Sequence, residues 1–135
     1  MILVDTSAWI EFLRATERPA HTTLRRLLLE EADLAVTEPV FMEVLAGARS
    51  SQEAEDLGEQ LLAFSLLPLQ GLSDFEEGAR IYRTCREAGE TVRSQVDCLI
   101  AVPAIRGGVA ILHADRDFDV IARHTDLSIH PLDEA

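Results

Sequence analysis

Five carboxylates carry the chemistry that this sequence offers: Asp5, Glu43, Asp97, Asp115 and Asp117. Asp5 closes the apolar run Ile2-Leu3-Val4, while Asp115 and Asp117 follow another, Val109-Ala110-Ile111-Leu112. Glu43 interrupts the apolar segment from Val40 to Ala46, and Asp97 opens the apolar segment Cys98-Leu99-Ile100-Ala101. Each acid alone has a plain structural reading. Asp5 or Thr6 can cap the helix that follows, and Ser94-x-x-Asp97 can be a capping pair. Together they point elsewhere. Hard oxygen ligands, with no His or Cys at metal-ligand spacing, suit Mg²⁺ or Mn²⁺. Two carboxylates ~4 Å apart repel by roughly 4 kcal/mol at an effective dielectric near 20. Four or five gathered in one cleft would therefore call for a cation. Such a site activates water and neutralises phosphate during an in-line displacement.

The elements must bring these acids together. Ile2–Val4 reads as a short buried strand, and Trp9, Ile10 and Leu13 begin a helical period after it. His21 to Glu31 has apolar residues at helical spacing, Leu34–Val36 reads as a second strand, and Thr37-Glu38-Pro39 opens the helix carrying Glu43. Ser50 to Leu62 is another helix, and Leu66-Leu67-Pro68-Leu69 is an edge-strand candidate because of its Pro. Ser73-Asp74-Phe75-Glu76 has the form of a capping box for a long helix toward Ala88. Thr91 or Ser94 starts the next helix, which holds Asp97, should kink at Pro103 and ends at Gly107-Gly108. Val109–Leu112 is the clearest later strand; a helix to about Arg123 and a weak strand at Leu127–Ile129 complete the chain. This alternation predicts an α/β fold with right-handed crossovers and a three-layer α/β/α arrangement around a parallel sheet. In such sheets chemistry collects at strand carboxyl ends, where Asp5 and Asp115 lie.

Composition narrows the class further. A chain of 135 residues fits one domain, residues 1–135. The start has no basic region and is interrupted by acids, so it does not read as a signal peptide; no apolar run reaches membrane-spanning length. A soluble cytoplasmic protein is expected. The net charge is −12 and every basic residue is Arg, which argues against nonspecific nucleic-acid binding through bulk charge. Without Lys, Schiff-base chemistry and Walker-type phosphate binding are excluded. Cys85 and Cys98 have no ligand spacing and read as core residues. Arg93 stands four residues before Asp97, where it can orient a carboxylate or bind a phosphate. Trp9, Phe12 and Leu13 form an apolar patch that is either core or a docking surface.

The ordered set Asp5-Thr6-Ser7, the Glu43 helix, Thr91-Val92-Arg93-Ser94 with Asp97-Cys98-Leu99-Ile100-Ala101, and Asp115-Arg116-Asp117-Phe118 resembles a PIN domain. Nearest in pattern are the VapC toxins of bacterial VapBC toxin–antitoxin pairs. The resemblance implies a parallel sheet of order 3-2-1-4-5 and a Mg²⁺- or Mn²⁺-dependent endoribonuclease. It implies Asp5, Glu43, Asp97 and Asp115 as catalytic metal ligands and Asp117 as an auxiliary acid. Thr6 or Ser7 would be a polar helper, and Arg93 a partner to phosphate or carboxylate. It further implies an RNA substrate, a homodimer and a small VapB-type antitoxin seated near Trp9, Phe12 and Leu13. Receiver domains and haloacid-dehalogenase-type phosphatases also gather acids at strand ends, but both use a Lys that is missing here. The remaining alternative is a PIN-like module that binds RNA or protein without cleaving.

Overall fold

The structure, a computed structural model, describes residues 1–134. Its centre is a parallel sheet of order β3-β2-β1-β4. The strands are β1 (Ile2–Val4), β2 (Leu34–Val36), β3 (Ser65–Leu66) and β4 (Ala110–Leu112). Leu3, Val4, Ile111 and Leu112 are fully buried, as expected for central parallel strands covered on both faces. β1 pairs with β2 through Ile2↔Leu34 and with β4 through Val4↔Leu112. Connections from β1 run to β2 and β3 on one side, whereas β4 joins on the other. The β1–β4 boundary is thus the point where strand order reverses, and β1 and β4 end side by side there.

Helices α1 (Thr6–Leu13), α2 (Pro19–Leu29), α3 (Glu38–Ala46) and α4 (Ser51–Leu62) pack among themselves. Helices α5 (Leu72–Glu87), α6 (Gln95–Gly107) and α7 (Arg116–His124) form the second group. Right-handed crossovers put the groups on opposite faces, giving the expected three layers. Gly78 sets the closest approach of α5 to α6: a Cβ there would stand 3.3 Å from the Leu99 Cα. Gly108 ends α6 in the left-handed conformation, with φ of 62°. Both cysteines are buried and free.

Three local expectations are revised. The edge strand is β3 at Ser65–Leu66; Leu67 N–H still donates to the Val36 carbonyl (2.8 Å), and Pro68, lacking an N–H, ends the ladder. The fifth strand is reduced to one parallel bridge, Ile111↔Ile129, so the order 3-2-1-4-5 survives only as a trace at its last position. The Ser73 capping box does not form. Gly71 takes the N-cap, and the Asp74 carboxylate accepts from Gln70 N–H (2.7 Å) while pairing with Arg106 (2.6 Å). The helix α6 is continuous across Pro103, which is buried.

Candidate metal centre

Asp5 does cap α1, as its position allows, but with one oxygen only. Its Oδ2 accepts from the Ser7 N–H (2.9 Å) and the Ser7 hydroxyl (2.6 Å). Its Oδ1 is buried with no partner among the described residues. The two hydroxyls after Asp5 tie three elements together. Thr6 donates to Glu43 Oε1 (2.8 Å), fixing that carboxylate on α3. Ser7 Oγ accepts from Ala114 N–H (2.9 Å), joining the end of β1 to the loop after β4.

Asp97 lies in the first turn of α6 and is 7% exposed. Ser94 occupies the N-cap, yet its hydroxyl makes no capping bond, so the capping-pair reading is not realised. Asp97 Oδ2 is buried and unpartnered, like Asp5 Oδ1. Burial, then the charges of Asp5, Asp115, Asp117 and Glu43, push the Asp97 carboxyl up to about 8. Burial likewise raises Asp5, opposed by the Ser7 hydrogen bonds and reinforced by Glu43. The adjacent Cys98 thiol is pushed up to about 12, chiefly by burial, which removes it as a nucleophile near neutral pH.

Asp115 caps α7, its Oδ1 accepting from Asp117 N–H (2.9 Å) and from Arg93 Nη2 (3.0 Å). Asp117 is 2% exposed and held at both oxygens by Arg93, through the backbone N–H (3.1 Å) and Nε (3.3 Å). Oxygens of Asp97, Asp115 and Asp117 lie within 4.8 Å of one another. Of the two helix starts that the sequence offered, Ser94 is the one realised, so Arg93 stands in the loop just before α6. Its side chain is 62% exposed, so one edge of the guanidinium faces the carboxylates and the rest faces outward.

Three of the five acids thus cluster within 4.8 Å, and Asp5 and Glu43 stand near enough for their charges to act on Asp97, near the carboxyl ends of β1 and β4. Asp5 and Glu43 come from the first helical group, Asp97, Asp115 and Asp117 from the second. The donor set is oxygen throughout, and two of its buried oxygens lack any hydrogen-bond partner among the described residues. Such atoms are costly to desolvate, and a divalent cation is one species that could satisfy them.

The apolar trio on α1 is rearranged. Trp9 is 6% exposed and packs at ring-centroid distances of 6.1 Å from Phe12 and 5.7 Å from Phe64, so it is core rather than protruding patch. It floors a groove of about 350 Å³ walled by Phe12, Leu13, Leu28, Leu57 and Phe64. A second groove of about 480 Å³ runs beside it to Glu43 and is lined by Arg14 and Arg49. Sequence reasoning passed over His113, which follows β4 directly and touches the backbone of Asp115 (3.0 Å). The available signal was a side-chain acceptor two residues before an acid, the spacing of a local turn.

The PIN domain profile matches residues 2–124, and the chain belongs to the PIN domain family. Within that family it is similar to VapC ribonucleases. Ribonuclease VapC11 of Mycobacterium tuberculosis is 51% identical over 128 residues, covering 94% of this chain and 96% of VapC11. Among solved structures, VapBC2 from Rickettsia felis, bound to a promoter DNA fragment, superposes with a TM-score of 0.72 at 15% identity, covering 98% of this chain and 100% of that one. The sarcin–ricin loop cleaving toxin VapC20 of M. tuberculosis gives a TM-score of 0.68 at 18% identity, covering 97% of this chain and 100% of that one. These two likenesses concern the fold.

Proposed function

We propose that this protein is a VapC-type toxin, an endoribonuclease that hydrolyses phosphodiester bonds in cellular RNA and requires Mg²⁺ or Mn²⁺. The observation that carries the reading is the pair of buried, unpartnered oxygens, Asp5 Oδ1 and Asp97 Oδ2, amid three further acids. Asp5, Glu43, Asp97 and Asp115 would hold the cation, with Asp117 as an auxiliary acid already engaged by Arg93. When bound, the cation supplies Lewis-acid activation of water and neutralises charge on the phosphate.

The chain's own residues do the positioning. Thr6 aims Glu43, and Ser7 orients Asp5 while locking it to the β4 side. Arg93 bridges Asp115 and Asp117 and offers its outward edge to a substrate phosphate. With a net charge of −12, the protein gains little from bulk attraction to RNA. Local arginines at the crevice, Arg93 with Arg14 and Arg49 along the adjoining groove, would have to supply the contact.

The remaining assignments follow the same reading. Residues 1–135 form a single PIN domain that works as a homodimer. No helix among the described residues is long and apolar enough to cross a membrane, in keeping with a cytoplasmic site of action on RNA. A VapB-type antitoxin would lay an amphipathic segment in the groove over Trp9, against Phe12 and Leu13.

Incubation of purified protein with total cellular RNA, in EDTA and in Mg²⁺ or Mn²⁺, tests the central claim. Cleavage at discrete sites that needs the cation and is lost in Asp97→Asn is expected. Binding of RNA without cation-dependent cleavage would return the chain to the class of inactive binding modules.

A further inference from the structure

The strand-to-helix turn after β4 carries a clamp that the reaction chemistry does not require. His113 is 7% exposed and rests against Phe118 with ring centroids 5.3 Å apart. Its Nδ1 lies 3.0 Å from the backbone N–H of Asp115. A backbone N–H can only donate, so Nδ1 is the acceptor and carries no hydrogen. The ring hydrogen then sits on Nε2, 3.1 Å from Asp119 Oδ1, and is donated to that carboxylate. The tautomer is thereby fixed from both ends. Asp119 on α7 holds the imidazole, and the imidazole holds the Asp115 amide.

Two other N–H groups of the turn are also committed, Ala114 to Ser7 Oγ and Asp117 to Asp115 Oδ1. Asp115 is the residue whose main chain is fixed by His113 alone at its amide while its carboxylate caps α7 and faces Asp97. We propose that His113 is a positioning residue for the Asp115 carboxylate, acting through its Nδ1 on the Asp115 amide with Asp119 as the brace. Releasing that amide lets the backbone before the carboxylate rotate, and a misplaced ligand oxygen lowers cation affinity. Supporting groups beyond the ligands commonly affect metal affinity by ~10–100-fold. The inference rests on the metal-centre reading only for its second readout.

Two substitutions separate the acceptor from the ring. In His113→Asn the amide Oδ1 stands at the covalent distance of Nδ1 and can still accept from the residue two positions on. In His113→Gln the oxygen stands one bond farther, at the distance of Nε2, and cannot. Both lose the same ring packing against Phe118, so a purely structural role would affect them alike. Amide hydrogen exchange at Asp115 is read first, without metal: protection is expected in wild type and His113→Asn and loss in His113→Gln. Mn²⁺ titration is read second: affinity within about threefold of wild type for Asn and a loss of about tenfold or more for Gln. Equal behaviour of the two variants in the exchange measurement, or Gln surpassing Asn, overturns the proposal. Wild type that protects the Asp115 amide but fails to bind Mn²⁺ would instead count against the metal centre and leave the clamp standing. Should His113→Gln not fold, Asp119→Ala leaves the imidazole in place without its brace. Partial loss of Asp115 protection there supports the clamp, and wild-type protection overturns it.

Discussion

Burial and four neighbouring carboxylates push Asp97 up to about 8, far from the ordinary 3.8 of an aspartate. Between those values the folded, metal-free chain holds a proton that the unfolded chain releases. Stability must then fall as pH rises through that window, because the native state binds more protons. In EDTA the melting temperature is therefore expected to be higher at pH 6 than at pH 8.5. Mn²⁺ displaces that proton, so its stabilising effect should grow with pH, and calorimetry in buffers of different ionisation enthalpy should detect proton release. Asp97→Asn removes the charge and keeps the shape. It is expected to melt above wild type in EDTA at pH 8, to be inactive, and to respond less to Mn²⁺. Lower stability than wild type in EDTA would mean that Asp97 is not repelled by its neighbours. The acids themselves were legible, because each stands at an element end or inside an apolar run where a charge demands explanation. The hydrogen-bond assignments around them were not. Whether Asp5 caps or coordinates depends on its two oxygens having different surroundings, and a sequence does not distinguish them.

Among the elements, α6 carries Asp97 and owes its position to α5, which approaches closely at Gly78. A Cβ there would meet the Leu99 backbone at 3.3 Å, and backbone cannot rotate away as a side chain would. Gly78→Val is expected to cost ~1–3 kcal/mol, the usual range for overpacking, and to weaken the Mn²⁺ response by moving α6. Chemical denaturation and a Mn²⁺ titration check both. On α1, Trp9→Ala should cost ~3–5 kcal/mol, as for large aromatic core residues. Antitoxin binding is then better probed by Leu13→Asp, since Leu13 is 47% exposed and loses no core contact. Elements with three or more committed residues could be placed from periodicity and caps. β3, with two residues, and the bridge at Ile129 could not be delimited, because their pairing is decided by neighbouring strands rather than by their own pattern. The Ser73 box gave way because Arg106, distant in sequence, draws Asp74 into the cap instead. Arg93 lies just outside the helix, as the Ser94 start allows, and its backbone N–H donates to Asp117, a partner that spacing alone cannot announce.

For the molecule as a whole, acids from both helical groups meet near the carboxyl ends of β1 and β4, so on the proposed reading one cation would join the two groups. Saturating Mn²⁺ should raise global stability by about 2.7 kcal/mol at one hundred times its dissociation constant, and differential scanning calorimetry at graded concentrations measures it. The three-layer order was readable from the alternation of elements, and the family resemblance set β1 beside β4; the hydrogen bond that ties their ends together was not readable, since its partners are far apart in sequence. The Ser7–Ala114 bond spans 107 residues. That span sets a timetable. Synthesis proceeds at roughly 5–20 residues per second, so about 5–20 s separate the two partners' appearance on the ribosome. Until α6 and β4 have emerged, a nascent chain displays Asp5 and Glu43 alone, and no cation has its full set of oxygens. The catalyst proposed here is thus mute until the stretch that holds Asp115 and Asp117 has been delivered.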